Sequence, residues 1–143
     1  ARSISEGTMK RTIAGNVTDT ANHIGGSFEL LASAARTTTQ TSADLDSYGC
    51  RGLHVTLDVT NVAAGPSVTL TIKGKDKASG KYYSILAGAA VTTASTNVYA
   101  IYPGITAAAN VSSSNIIPDI FQIVVTANNA NSGTYSVGYA LIP

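Results

Sequence analysis

Apolar residues fall on every second position in several short runs along this chain, the period of a pleated strand with one buried face. The clearest run is Leu53-His54-Val55-Thr56-Leu57-Asp58-Val59-Thr60, which predicts Leu53, Val55, Leu57 and Val59 facing a core and the polar members facing out. The run from Val68 to Lys75 repeats the pattern with Val68, Leu70 and Ile72 inward, after a turn at Gly65-Pro66. GKDKASGKYY at 74–83 then reads as a hairpin, because Asp, Ser and Gly separate two strand-like runs. Its second strand resumes with Tyr82, Tyr83, Ile85 and Leu86.

Three further strands are predicted at Val98–Tyr102, Phe121–Ala127 and Tyr135–Ile142, the last two joined by the Asn- and Gly-rich turn from Asn128 to Gly133. Tyr135, Val137, Tyr139 and Leu141 share one face of the final strand. Phe28–Ala35 and Ser42–Asp46 read as earlier strands, although Leu30–Ala35 also suits a helical turn. Between Pro103 and Pro118 lies a long loop, of the kind more often functional or interface-forming than accidental. Residues 1–26 are polar with scattered Ile and Val and end on Gly25-Gly26, which reads as an arm ahead of a domain at 27–143. The prediction is an all-β antiparallel sandwich, jelly-roll or Greek-key like, with an extended N-terminal arm.

Composition narrows the function. At 143 residues the chain can build one core without staples. Charged residues make up only 12% of it and the net charge is +1, so bulk electrostatics will not recruit a partner. Cys50 is the one cysteine, which rules out an intrachain disulfide and fits assembly in a reducing compartment. No stretch has the form of a signal peptide or approaches the roughly 18 apolar residues of a membrane span. The sequons at Asn16 and Asn110 read as chance in such a chain.

Catalytic and cofactor chemistry fails on spacing. The segment from Gly74 to Gly80 has five intervening residues where a phosphate-cradling loop needs four, and Tyr82 stands where that loop needs Ser or Thr. Asp44-Leu45-Asp46 with Gly49 resembles half of a calcium loop, but Tyr48 and Val55 occupy later ligand positions. His23 and His54 have no metal-ligand neighbours at a usable spacing. Along an unbroken strand Cys50 and His54 stand about 13 Å apart at about 3.3 Å per residue, too far for proton transfer. Cys50 is better read as a small buried residue. The expectation is a binding protein, not an enzyme, with no cofactor and no metal.

Lys73, Lys75, Lys77 and Lys81 form the one basic concentration, without the interleaved aromatics of a nucleic-acid site. A solvated hairpin tip is the bland reading and contact with a protein surface the sharper one. Tyr82 and Tyr83 should point to opposite faces, one into the core and one outward.

SAART at 33–37, YGCRGLHVTLDVT at 48–60, VTLTIKGKDKASGKYYSIL at 68–86, VYAIYPGIT at 98–106 and the closing TYSVGYALIP together resemble the small β-sandwich decoration, or cement, proteins of tailed-bacteriophage capsids. The resemblance implies a virion protein, assembled in the host cytoplasm, that binds the outside of the head as a homotrimer and reinforces contacts between major capsid protein subunits. Neither membrane nor direct nucleic-acid contact is implied. Three contact surfaces are expected: the arm with Arg2, Lys10 and Arg11, the loop at 103–118 with Ile105, Ile116 and Ile117, and the lysine hairpin. The alternative is a carbohydrate- or receptor-binding module of a phage tail or head fibre, which would use an exposed tyrosine.

Overall fold

The computed structural model describes residues 25–61 and 67–143. In chain order the strands are β1 (Gly26–Arg36), β2 (Gln40–Thr41), β3 (Leu45–Asp46), β4 (Gly52–Asn61) and β5 (Val68–Lys75). They continue with β6 (Tyr82–Ala87), β7 (Ser95–Ile101), β8 (Ser112–Ser113), β9 (Ile120–Ala127) and β10 (Gly133–Ile142). Among the described residues there is no helix. The turn expected at Gly65-Pro66 and the arm residues Arg2, Lys10, Arg11 and His23 lie outside them.

Period-2 patterning decides the register of the central strands. In β4 the alternate residues Leu53, Val55, Leu57 and Val59 are at most 2% exposed. A slip of one residue would bury His54, Thr56 and Asp58 instead. Burying a Val, Leu or Ile is worth about 1.5–3 kcal/mol relative to leaving it exposed, so that slip is strongly disfavoured. Val68, Leu70 and Ile72 of β5 meet these side chains from the other layer, together with Phe121, Ile123 and Val125 of β9. Tyr135, Val137 and Leu141 of β10 complete the core, and Cys50 is buried beside it. An aromatic chain crosses between the layers. Phe28 stacks on Tyr139 at 5.0 Å, and the Tyr139 ring meets Phe121 edge-on at 5.8 Å.

The strand order shows a sandwich of two sheets, β1-β10-β4-β7-β8 and β2-β9-β5-β6, with β3 also on β9. β2 and β3 behave as one interrupted edge strand, since Gln40 and Thr41 face Val125 and Val124 while Leu45 and Asp46 face Phe121 and Ile120. With β8 set aside, the pairing is nested: first strand with last (β1 with β10), second with second-last (β2 and β3 with β9), third with third-last (β4 with β7), and the innermost two (β5 with β6). Such nesting is a long hairpin folded over on itself, which is a jelly roll and not a simpler Greek key.

Several local expectations are corrected. The strand at Ser42–Asp46 is broken, and Ser42 replaces the lost ladder: its N–H donates to the Ile123 oxygen at 3.0 Å and its hydroxyl accepts from the Ile123 N–H at 3.0 Å. Leu30–Ala35 is strand with register shifts, not a helical turn. β7 starts earlier than Val98 and ends before Tyr102. The 103–118 loop contains β8, which runs parallel to β7, the one parallel pair beside otherwise antiparallel ladders among the described residues. Neither Tyr82 nor Tyr83 enters the core, for they are 40% and 48% exposed. Tyr82 opposes Lys75 on the outer face, while Tyr83 opposes Gly74 near the end of the layer. There the Tyr83 ring lies over Gly74 beside Pro118, so that a Cβ on Gly74 would sit 2.7 Å from the ring and 2.8 Å from the proline.

Candidate binding surfaces at one end of the sandwich

In a jelly roll successive connections alternate between the two ends. One end holds the turn from β3 to β4, the β5–β6 hairpin and the long connection from β7 to β9. The chain also enters the fold there at Gly25 and leaves it at Pro143. Short bonds stitch these pieces together. Ser47 N–H donates to the Asp119 oxygen at 2.9 Å, Ile117 N–H to the Arg51 oxygen at 2.9 Å, and Arg51 N–H to the Ile142 oxygen at 3.1 Å. Arg51 also donates to the Tyr102 hydroxyl at 3.1 Å, and that hydroxyl donates to the Pro143 oxygen at 3.2 Å. Gly25, the long loop and the lysine hairpin, which the sequence presents as separate, therefore share one end.

The lysines are not equivalent. Lys73 and Lys75 stand on the outer face of β5, whereas Lys77 and Lys81 belong to the hairpin tip. Lys75 pairs with Asp44 at 2.8 Å and Lys77 with Asp119 at 3.1 Å, so much of the expected positive charge is met within the chain. Asp76 organises the tip. Its carboxylate accepts from the Ser79 hydroxyl at 2.7 Å and the Ser79 N–H at 3.1 Å, and these bonds, the hydroxyl first, hold its carboxyl below the ordinary range.

Asp44 ties this end to the sheet. It accepts from Lys75 and from the Tyr82 hydroxyl, the latter at 2.5 Å, and the Lys75 bond is the larger cause of its lowered pKa. Asp46 accepts from the Tyr48 N–H at 2.7 Å. Both carboxylates of the calcium-like Asp44-Leu45-Asp46 segment are thus taken up in turn and sheet contacts. Among the described residues no three His, Cys, Asp or Glu side chains gather as metal ligands would.

Of the loop isoleucines, Ile116 is 56% exposed and Ile105 is half-buried, but Ile117 is only 3% exposed and belongs to the core. The expectation that Ile117 forms an interface is corrected: its side chain closes the sandwich end. The most exposed aromatic is one the sequence did not single out. Tyr48 is 71% exposed and held at φ 52°, ahead of Gly49 at φ 77°. A left-handed backbone is unfavourable for a bulky residue, and the Asp46 side chain, bonded to the Tyr48 N–H, is what supports it here. An Asp two residues before a Tyr-Gly pair was the available signal for the turn, though not for the ring's exposure.

The opposite end is chemically different. Its described connections, 37–39, 88–94 and 128–132, contain no charged residue. Neutral amide and hydroxyl contacts close it, such as the Asn128 side chain donating to the Ser67 hydroxyl at 2.8 Å and Ala127 N–H donating to the Thr39 hydroxyl at 3.1 Å.

No protein-family model matches the chain, and no curated protein matches it in sequence. Several solved structures align with it. The crystal structure of the SPBc2 prophage-derived protein YomS aligns with a TM-score of 0.51 at 12% identity, over 83% of this chain and 93% of that one. Structures of infectious bursal disease virus, Gx and Gt strains, align with TM-scores of 0.43 and 0.44 at 15% and 13% identity, over 81% and 82% of this chain but 32% and 33% of theirs. The two-sheet fold described here is one that YomS shares along nearly its whole length.

Proposed function

We propose that this chain is a structural protein of a virion that binds the outer surface of a capsid and stabilises the head. In this reading its partners are the major capsid protein and further copies of itself, as a homotrimer, assembled in the host cytoplasm. The observation that carries it is the convergence of the arm's entry point, the long loop and the lysine hairpin on one end of a sandwich whose fold a prophage-derived protein shares. One end then grips while the uncharged end faces away. Several modest contacts presented together bind firmly once geometry lets them engage at the same time, which suits a protein of low net charge.

Purified protein added to capsids that lack it should bind saturably and raise the temperature at which they release their contents. Absence of saturable binding would refute the reading. A second reading, a carbohydrate- or receptor-binding module of a tail or head fibre, is favoured by the exposure of Tyr83 at 48%. A selective glycan-array signal lost on Tyr83→Ala would support it over the first.

A further inference from the structure

Strand β7 is paired along its whole length on one side only. β4 accompanies it from Ser95 to Ile101, whereas β8 meets it only at Ala100 and Ile101. The Ala100 N–H donates to the Val111 oxygen at 3.0 Å, on the side away from β4. Main-chain groups alternate sides along an antiparallel strand, so the N–H and C=O of Thr96 and Val98 point to that same outer side. Among the described residues no backbone bond meets them there.

The chain nearby curls so as to leave this edge open. Ser112 and Val111 N–H groups both donate to the Ala108 oxygen, at 3.0 and 3.1 Å. Asn110, at φ 66°, reaches away to donate its amide to the Ala87 oxygen at 2.9 Å. A groove results, floored by Ser95–Tyr99 and walled by 89–93 and 109–111, and no charged side chain lines it. An unpaired strand edge in an uncharged groove is suited to accepting an extended segment as an added strand, with main-chain bonds for affinity and alternate side chains for register.

We propose that this edge takes residues 12–18 of a second copy of the chain. Twenty-four residues precede Gly25, and Thr12–Thr18 is the longest stretch among them without a charge. It alternates Ile13, Gly15 and Val17 with Thr12, Ala14, Asn16 and Thr18, a strand-like pattern that places both branched apolar residues on one face. A charged stretch would leave ions unpaired against the neutral walls.

The donor is a neighbour because of where the chain enters the fold. Gly25 leads into β1, at the opposite edge of the sheet from β7 and β8. Returning to its own β7 edge means crossing about four strand spacings, about 19 Å. The six residues from Asp19 to Ile24 span at most about 20 Å when fully extended, which leaves almost no slack. A neighbouring copy has no such constraint. Each chain has one donor segment and one acceptor edge, so the exchange can close a ring with no strand edge of this kind left over. This inference concerns self-association alone and stands whether or not a capsid is the partner.

The test is the solution mass of the full chain at micromolar concentration, alone and as Val98→Pro and Ile13→Asp. Proline at Val98 removes an N–H that no described ladder uses, and Ile13→Asp puts a charge on the apolar face of the donor segment. Circular dichroism checks that both keep the β fold. The expected result is a closed oligomer for the wild type and a single-chain mass for each variant, with slow amide exchange at Thr96 and Val98 in the wild type only. A monomeric wild type would overturn the proposal, whether or not those amides are protected, and so would an oligomer that survives both substitutions.

Discussion

The guanidinium of Arg36 lies 4.8 Å from the centre of the Tyr135 ring and donates to the Tyr135 carbonyl oxygen at 2.6 Å. The same group reaches the Ala32 oxygen at 2.6 Å, across the register shift that interrupts β1. Arg36 thus adds side-chain donors to carbonyls on both strands of the irregular β1–β10 pairing. Arg36→Ala is expected to cost about 2 kcal/mol, since hydrogen bonds from a charged donor contribute about 1.5–3 kcal/mol. Urea denaturation would measure it. Arg36→Lys should recover little, because an ammonium cannot reach several carbonyls in one plane while stacking on the ring.

Adjacent isoleucines should behave oppositely. Ile117 is 3% exposed and Ile116 is 56% exposed. Ile117→Ala is expected to destabilise by about 2–4 kcal/mol through the cavity it leaves, with Ile116→Ala within about 0.5 kcal/mol of wild type. If the capsid reading holds, the second substitution acts on binding and leaves the denaturation midpoint alone.

Gly88 leaves no space for a side chain. A Cβ there would lie 2.7 Å from the Tyr99 ring and 3.0 Å from the Leu70 carbonyl oxygen. Tyr99 is 4% exposed and the oxygen belongs to β5, so neither has room to retreat. Gly88→Ala is expected to cost about 1–3 kcal/mol by overpacking. The midpoint should fall with an unchanged denaturant slope, which separates lost stability from a changed denatured state.

The Asp44, Lys75 and Tyr82 cluster sets a pH dependence. Hydrogen bonds from Lys75 and then Tyr82 lower Asp44 from its ordinary 3.8, and the bond to Asp44 raises Lys75 from 10.5 and Tyr82 from 10.0. A carboxylate depressed by folding adds stability above its unfolded pKa and loses it as pH falls through the folded one. A raised lysine or tyrosine adds stability below its unfolded pKa and loses it as pH rises through the folded one. The difference in thermal midpoint between wild type and Asp44→Asn should therefore be widest near neutrality and close at both extremes. It should also be small and shrink with salt, since these groups are solvent-exposed. A gap that does not narrow as pH is lowered progressively below 3.8 would contradict the assignment.

Much of this molecule follows from local pattern. The alternation in Leu53–Thr60 and Val68–Lys75 determines strands with one buried face, because a period of two leaves only one register that hides the apolar set. The hairpin at 74–83 was equally legible from Asp76, Ser79 and Gly80. The buried Cys50 was too, although its place beside the core comes from the turn before β4. Pattern does not say which strands meet. The nested pairing that makes a jelly roll joins residues as far apart as Gly26 and Leu141, and that choice is made by packing two whole sheets together. Whether Ile116 or Ile117 turns inward, why Tyr83 stays outside over Gly74, and why Ser42 bridges a broken strand are decided by neighbours distant in sequence. So is the gathering of Gly25, the long loop and the lysine hairpin at one end, because connections alternate ends only once the strand order exists. The sequence by itself determined the central strands and the faces of β4, β5 and β10, while the tertiary structure alone decided the irregular strands, what those faces enclose and which loops stand side by side.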